Sequence, residues 1–130
     1  MTTELTILGW SVVLLIVYIV LQATTMTASV GMEYNASNRD AGREPRGVAA
    51  PRAKRALANY LETYPAFIAL ALALAITGKS GGAGATGAIL WIVARALYLP
   101  IYVIGIPYIR TLAWAVSIVG LVMMLARLMG

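Results

Sequence analysis

The sequence predicts an all-α protein whose four helices cross a membrane as one bundle. Hydrophobic residues make up 61% of its 130 positions and charged residues only 12%, with a mean hydropathy of +0.83. That is more apolar surface than one small core can hide. The charges are also segregated, since long runs without any alternate with short charged connections. The basic residues gather on alternate connections, the bias that sets orientation in a bilayer.

The first helix is predicted over about residues 5–30. No charge occurs from Leu5 to Met32, whereas ~20 residues at ~1.5 Å rise are enough to cross the ~30 Å hydrocarbon layer. No Lys or Arg precedes the run, and it is too long for the apolar core of a signal peptide, so it reads as an uncleaved span. Residues 33–55 are predicted to form a polar loop rich in charge, Gly and Pro. The second helix is placed at about 56–77, with Glu62 its one charge, and GKSGGAGATG supplies a short flexible connection. The third runs over about 85–103 with Arg95 its one charge; Gly105, Ile106 and Pro107 form a turn, and the fourth covers about 108–128. Its charge-free part is short, so Arg110 and Arg127 are expected to snorkel at its two ends.

The first loop holds Arg39, Arg43, Arg46, Arg52, Lys54 and Arg55, and the third connection adds Arg110; the opposite side has Lys79 and Arg127. This asymmetry predicts a cytoplasmic first loop and both termini outside. The net charge of +5 then belongs to orientation rather than to nucleic-acid binding.

Cysteine and histidine are both absent from the sequence. Disulfides, protein thiolate nucleophiles and imidazole chemistry are thereby excluded, leaving arginine, tyrosine, carboxylates or a bound cofactor to do any chemistry. Two local motifs carry nothing. ALAITGKS, residues 73–80, approximates a phosphate-binding loop, but such a loop must follow a strand and open a soluble helix. Asn35-Ala36-Ser37 fits a glycosylation acceptor, yet its loop is expected to be cytoplasmic.

The informative feature is a pair of polar stripes. Arg55, Asn59 and Glu62 recur at i, i+4, i+7, one face of a helix, and Arg95, Tyr98 and Tyr102 recur at i, i+3, i+7. Both stripes lie toward the predicted cytoplasmic end. An ionisable group in hydrocarbon costs roughly 2.5–3.5 kcal/mol, so it normally faces a partner or a wet cavity. Two readings follow: Glu62 pairs with Arg55 or Arg95 as glue between helices, with Asn59 as an interhelical hydrogen bonder, or the stripes line a polar pocket for a charged ligand. Pro65 and Pro100 free the carbonyls of Leu61 and Ala96 level with the stripes, although a simple kink explains them equally.

Arg55-x-x-x-Asn59-x-x-Glu62-Thr63-x-Pro65, before an apolar run, resembles the second helix of the MAPEG family, the membrane-associated proteins in eicosanoid and glutathione metabolism. Arg95-x-x-Tyr98-x-x-x-Tyr102, then Pro107 and Arg110-Thr111, is similar to that family's third helix and the start of its fourth. The loop motif Tyr34-Asn35-x-x-x-Arg39-Asp40 resembles bacterial members most. The resemblance implies a homotrimer in a bacterial inner membrane, with glutathione bound as cosubstrate between neighbouring subunits near the cytoplasmic face. It implies Arg55, Asn59, Glu62, Arg95, Tyr98 and Tyr102 as the glutathione-binding residues, with Arg110 beside the sulfur as the catalytic cation and Thr111 as an additional donor.

Those residue types suit the ligand. Glutathione carries two carboxylates and one ammonium, which arginines and a glutamate complement, while Asn59 and the tyrosine hydroxyls offer neutral hydrogen bonds. A guanidinium near a thiol favours the thiolate, which would attack a lipophilic electrophile or a lipid hydroperoxide arriving from the membrane. The expected function is therefore a glutathione-dependent transferase or peroxidase. A non-catalytic member that binds lipid or a partner protein is the alternative. A small proton-coupled exporter fits less well, because it would want an unpaired carboxylate within its first helix.

Overall fold

The computed structural model describes residues 1–30 and 49–130. They form four helices: α1 Thr3–Val30, α2 Ala49–Ile76, α3 Gly82–Ile104 and α4 Pro107–Met129. Each is long and apolar enough to cross a membrane. The chain is a multi-pass integral membrane protein. The Tyr34 to Asp40 motif and the acceptor triplet within it lie outside the described residues.

The helix boundaries follow local chemistry. Thr2 caps α1, its hydroxyl oxygen accepting the Leu5 amide at 3.2 Å, and Glu4 stands in the first turn, where a carboxylate favours the helix dipole. α2 starts at Ala49, two turns before the expected position. The first charge-free residue marks the edge of the hydrocarbon, and a helix has no need to end there. In those extra turns Ala50 and Ala53 are buried while Lys54 and Arg55 are exposed, and Pro51 sits in the first turn, where no intrahelical donor is lost. α3 likewise begins at Gly82 rather than 85. Pro65 and Pro100 lie inside continuous helices. Gly105 ends α3 in the left-handed region (φ 92°, ψ 41°), and Pro107 opens α4 at its first position.

Two kinds of seam join the helices. Where α3 meets α4, Gly87 and Gly120 let the backbones touch, and a Cβ on either would run into the other's carbonyl oxygen. The centre is aromatic instead. Trp91 stacks on Phe67 at 4.0 Å between ring centroids, and Tyr18, Tyr60 and Tyr64 complete the cluster. Their hydroxyls are bonded within the bundle: Tyr60 donates to the Ser11 carbonyl at 2.6 Å, Tyr18 donates to the Arg95 carbonyl at 2.7 Å, and Tyr64 shares a bond with the Ser11 hydroxyl at 2.9 Å. Buried phenols in hydrocarbon need such partners. α1 and α4 lie on opposite sides of the α2–α3 pair, without contact among the described residues.

Candidate functional site

The two stripes meet, as their spacing on α2 and α3 requires, but they do so through hydrogen bonds rather than an ion pair. Arg95 is fully buried. One of its terminal nitrogens donates to Asn59 Oδ1 at 2.7 Å, and the other donates to Thr63 Oγ1 at 2.8 Å and to the Asn59 carbonyl at 3.2 Å. The guanidinium also lies 5.1 Å from the Tyr98 ring centre. Thr63 was not among the expected site residues, yet it is one of the two side chains that hold this cation. With Asn59 Oδ1 occupied, the amide NH2 of Asn59 is turned toward the open side.

A second set of contacts lies one turn nearer the α3–α4 connection. Arg55 Nε donates to the Tyr102 hydroxyl at 3.0 Å. The Arg110 guanidinium stands 4.8 Å from the centre of the same ring, and Arg55 stands 5.9 Å from it. The Tyr98 and Tyr102 rings are 5.4 Å apart. Tyr102 therefore sits between two cations, which its electron-rich face and its hydroxyl oxygen both accommodate.

These contacts frame a cleft of about 200 Å³ lined by Asn59, Tyr98, Arg110, Thr111 and Trp114. Four of the five were expected at the site. Trp114 was not; it follows Arg110 by one helical turn, and nothing in a lone tryptophan within an apolar run distinguishes a cleft wall from a lipid-facing side chain. The Thr111 hydroxyl donates to the Pro107 carbonyl at 3.1 Å, which leaves its oxygen lone pairs for the cleft and its proton engaged.

Glu62 stands apart from the others. It is exposed on the protomer surface and makes no hydrogen bond or ion pair among the described residues. Arg95 is within electrostatic range but bonds elsewhere. The Glu62 ion pair of the glue reading is thus absent among the described residues, whereas its other element, Asn59 bonding between helices, is present in the bond from Arg95. A carboxylate on the outside of a membrane bundle still requires a partner or a polar ligand. The cleft, at about 200 Å³, is also smaller than the ~300–1,000 Å³ usual for ligand pockets.

The carboxylate expected of an exporter's first helix has only one candidate, Glu4. It is fully buried, but it lies in the opening turn of α1 and accepts the Gly81 amide at 2.8 Å, at the end of the bundle away from the stripes. Among the described residues there is no cluster of acidic side chains suited to a metal ion.

Comparison with known proteins bears directly on this arrangement. No curated protein and no solved structure gives a significant match. The model of the MAPEG family matches residues 7–130. That span takes in all four helices with both polar stripes and the cleft between them, and the chain belongs to the MAPEG family.

Proposed function

We propose that the protein is a membrane-bound glutathione-dependent transferase or peroxidase acting on lipophilic electrophiles or lipid hydroperoxides. The observation that carries this reading is the cleft itself, where Arg110 stands beside Asn59, Tyr98 and Thr111 at the end of an otherwise apolar bundle. Family membership supports it, since some members conjugate or reduce substrates with glutathione.

In this reading Arg55 meets a carboxylate of glutathione by a charge-assisted bond. Glu62 accepts from the ammonium or a backbone amide. Asn59, oriented by Arg95, donates an amide hydrogen, and Arg95 adds a fixed positive charge behind it. The tyrosine rings of residues 98 and 102 wall the peptide, and Tyr102 keeps Arg55 and Arg110 at a set separation. Arg110 faces the sulfur, where its charge favours the thiolate over the thiol. The thiolate then attacks an electrophilic carbon, forming a thioether as the leaving group departs with the bonding electron pair, or attacks the outer oxygen of a hydroperoxide, breaking the O–O bond to give a sulfenic acid and an alkoxide that takes up the proton given up by the thiol and leaves as the alcohol.

The exposed Glu62 and the part-open cleft favour a site completed by a neighbouring copy, in a homotrimer. The six basic residues from Arg39 to Arg55, in the first connection and the opening turns of α2, favour an orientation with this site at the cytoplasmic face and both termini outside, in a bacterial inner membrane.

The test is a glutathione titration of the detergent-solubilised protein, followed by thermal stability. A ligand at 100 times its Kd adds ~2.7 kcal/mol to the folded state. The expected result is a saturable upward shift in Tm that is lost in Arg55→Ala. No shift up to tens of millimolar would overturn glutathione binding and leave lipid or partner binding as the role of the cleft.

A further inference from the structure

Arg52 has no part in the reading above, where it counts only as one of the loop's orienting charges. In the structure it belongs to α2 and reaches across to the end of α3. Its Nη1 donates to the Val103 carbonyl at 3.1 Å and to the Ile104 carbonyl at 3.2 Å. These are among the last carbonyls of α3, which have no intrahelical partner, and a cation there also complements the helix dipole.

The next residue is Gly105. Its positive φ suits glycine, and Arg52 lies close against it. A Cβ at this position would lie 2.7 Å from Arg52 Nη1 and 2.8 Å from its Cζ. The positive φ is what requires glycine there; the guanidinium lies against it as the far end of a flexible side chain, and a larger residue would displace it from the carbonyls it holds. The turn is short: Gly105 and Ile106 both donate to the Ile101 carbonyl, at 3.0 and 3.2 Å, and Arg110 donates its amide to Ile106 at 3.1 Å. Five residues thus connect the guanidinium of Arg52 to the backbone of Arg110. The Thr111 hydroxyl holds the far side of the turn at the Pro107 carbonyl, and among the described residues Arg52 is the one side chain bonded to the backbone where α3 ends.

We propose that Arg52 is a positioning residue that sets where Arg110 stands in the cleft. Arg55, three residues on and on the same face of α2, holds Tyr102 by its hydroxyl; Arg52 holds the backbone just beyond it. Together they fix both supports of Arg110, the ring beneath its guanidinium and the turn from which its helix departs. The effect on glutathione chemistry rests on the function proposed above. The effect on the turn does not.

The experiment uses the intact protein in detergent and two variants, Arg52→Ala and Arg52→Lys, the second keeping a cationic donor of nearly the same reach. Loss of a charge-assisted bond to a carbonyl predicts amide hydrogen exchange roughly tenfold or more faster at Gly105, Ile106 and Arg110 in Arg52→Ala. Exchange at Gly84 and Gly130, at the far end, is expected to be unchanged, and Arg52→Lys is expected to recover part of the protection. The ultraviolet thiolate absorbance of the glutathione complex should fall in Arg52→Ala while the Kd for glutathione changes by less than about threefold. In an Arg110→Ala background, Arg52→Ala should remove nothing further.

Unchanged exchange at the turn would overturn the proposal, and so would a uniform rise across both ends, which marks general destabilisation. A loosened turn with intact thiolate absorbance would overturn it as well, as would additive losses in the double variant. If the wild-type protein itself shows no thiolate with glutathione, the proposed reaction fails instead, and the exchange pattern alone decides whether Arg52 places Arg110.

Discussion

The two ends of this bundle hold similar charged residues and use them in different ways. At the end that carries the chain termini, Glu4 accepts from the Gly81 amide, Lys79 donates to the Leu128 carbonyl at 2.8 Å, and Arg127 donates to the Lys79 carbonyl at 2.9 Å. Each bond runs from a side chain to backbone, and together they fasten the start of α1, the α2–α3 turn and the tail of α4. At the opposite end Arg52 also bonds to backbone, at the last carbonyls of α3, but Arg55 and Arg110 bear on the side chain of Tyr102, and Asn59, Tyr98, Thr111 and Trp114 surround open space. Charges bonded to backbone close the fold. Charges bonded to other side chains around a cleft leave donors for something that arrives later.

Substitutions at the two ends should therefore separate activity from stability. The largest effect is expected for Arg110→Ala, a loss of about 10²-fold or more in turnover of glutathione with a lipophilic electrophile, the range found when a positioned donor to a developing anion is removed. Glutathione affinity should hardly change. An unaltered thiolate absorbance in that variant would remove Arg110 from the chemistry and make the two ends alike.

Asn59→Ala comes next, because it takes a hydrogen-bond partner from a fully buried guanidinium. A cost of about 2 kcal/mol in thermal unfolding is expected, together with weaker glutathione binding, since the same amide faces the cleft. Were stability lost with binding intact, Asn59 would be structural only, and the boundary between the ends would have to be redrawn.

Glu62→Gln is expected to weaken glutathione binding by about tenfold, or ~1.4 kcal/mol, with no comparable loss in the stability of the proposed trimer. The reverse ranking, in titration and cross-linking, would make Glu62 glue between copies. The smallest effect belongs to the fastening end. Glu4→Gln keeps an acceptor for Gly81 but not its charge, so about 1 kcal/mol of stability should be lost with unchanged glutathione affinity. A drop in affinity there would contradict the division between the ends.

Much of this was legible in one dimension. Composition and charge-free runs place all four spans, because hydrocarbon excludes charge and water-free backbone must be helical. The i, i+3, i+4 and i+7 spacings put Arg55 with Asn59 and Arg95 with Tyr98 and Tyr102, because a 3.6-residue period is the same in every helix. Of the cleft's lining, that periodicity marks Asn59 and Tyr98, whereas Arg110 and Thr111 were expected there only from the family resemblance. Their partners could not be listed. Arg95 takes Asn59 and Thr63 where an ion pair with Glu62 was an open alternative, and Arg52 crosses to the end of α3 from what looked like loop.

The sequence by itself determined the class of protein, the number of spans and the faces that carry polar groups, since these depend on periodicity and on the cost of charge in lipid. Only the tertiary structure decided which cation is buried behind Asn59, which stands in the cleft, and which grips the α3–α4 turn. Arginine side chains are long and can reach several acceptors across neighbouring helices, so helix spacing and the glycines at 87, 105 and 120 select among them.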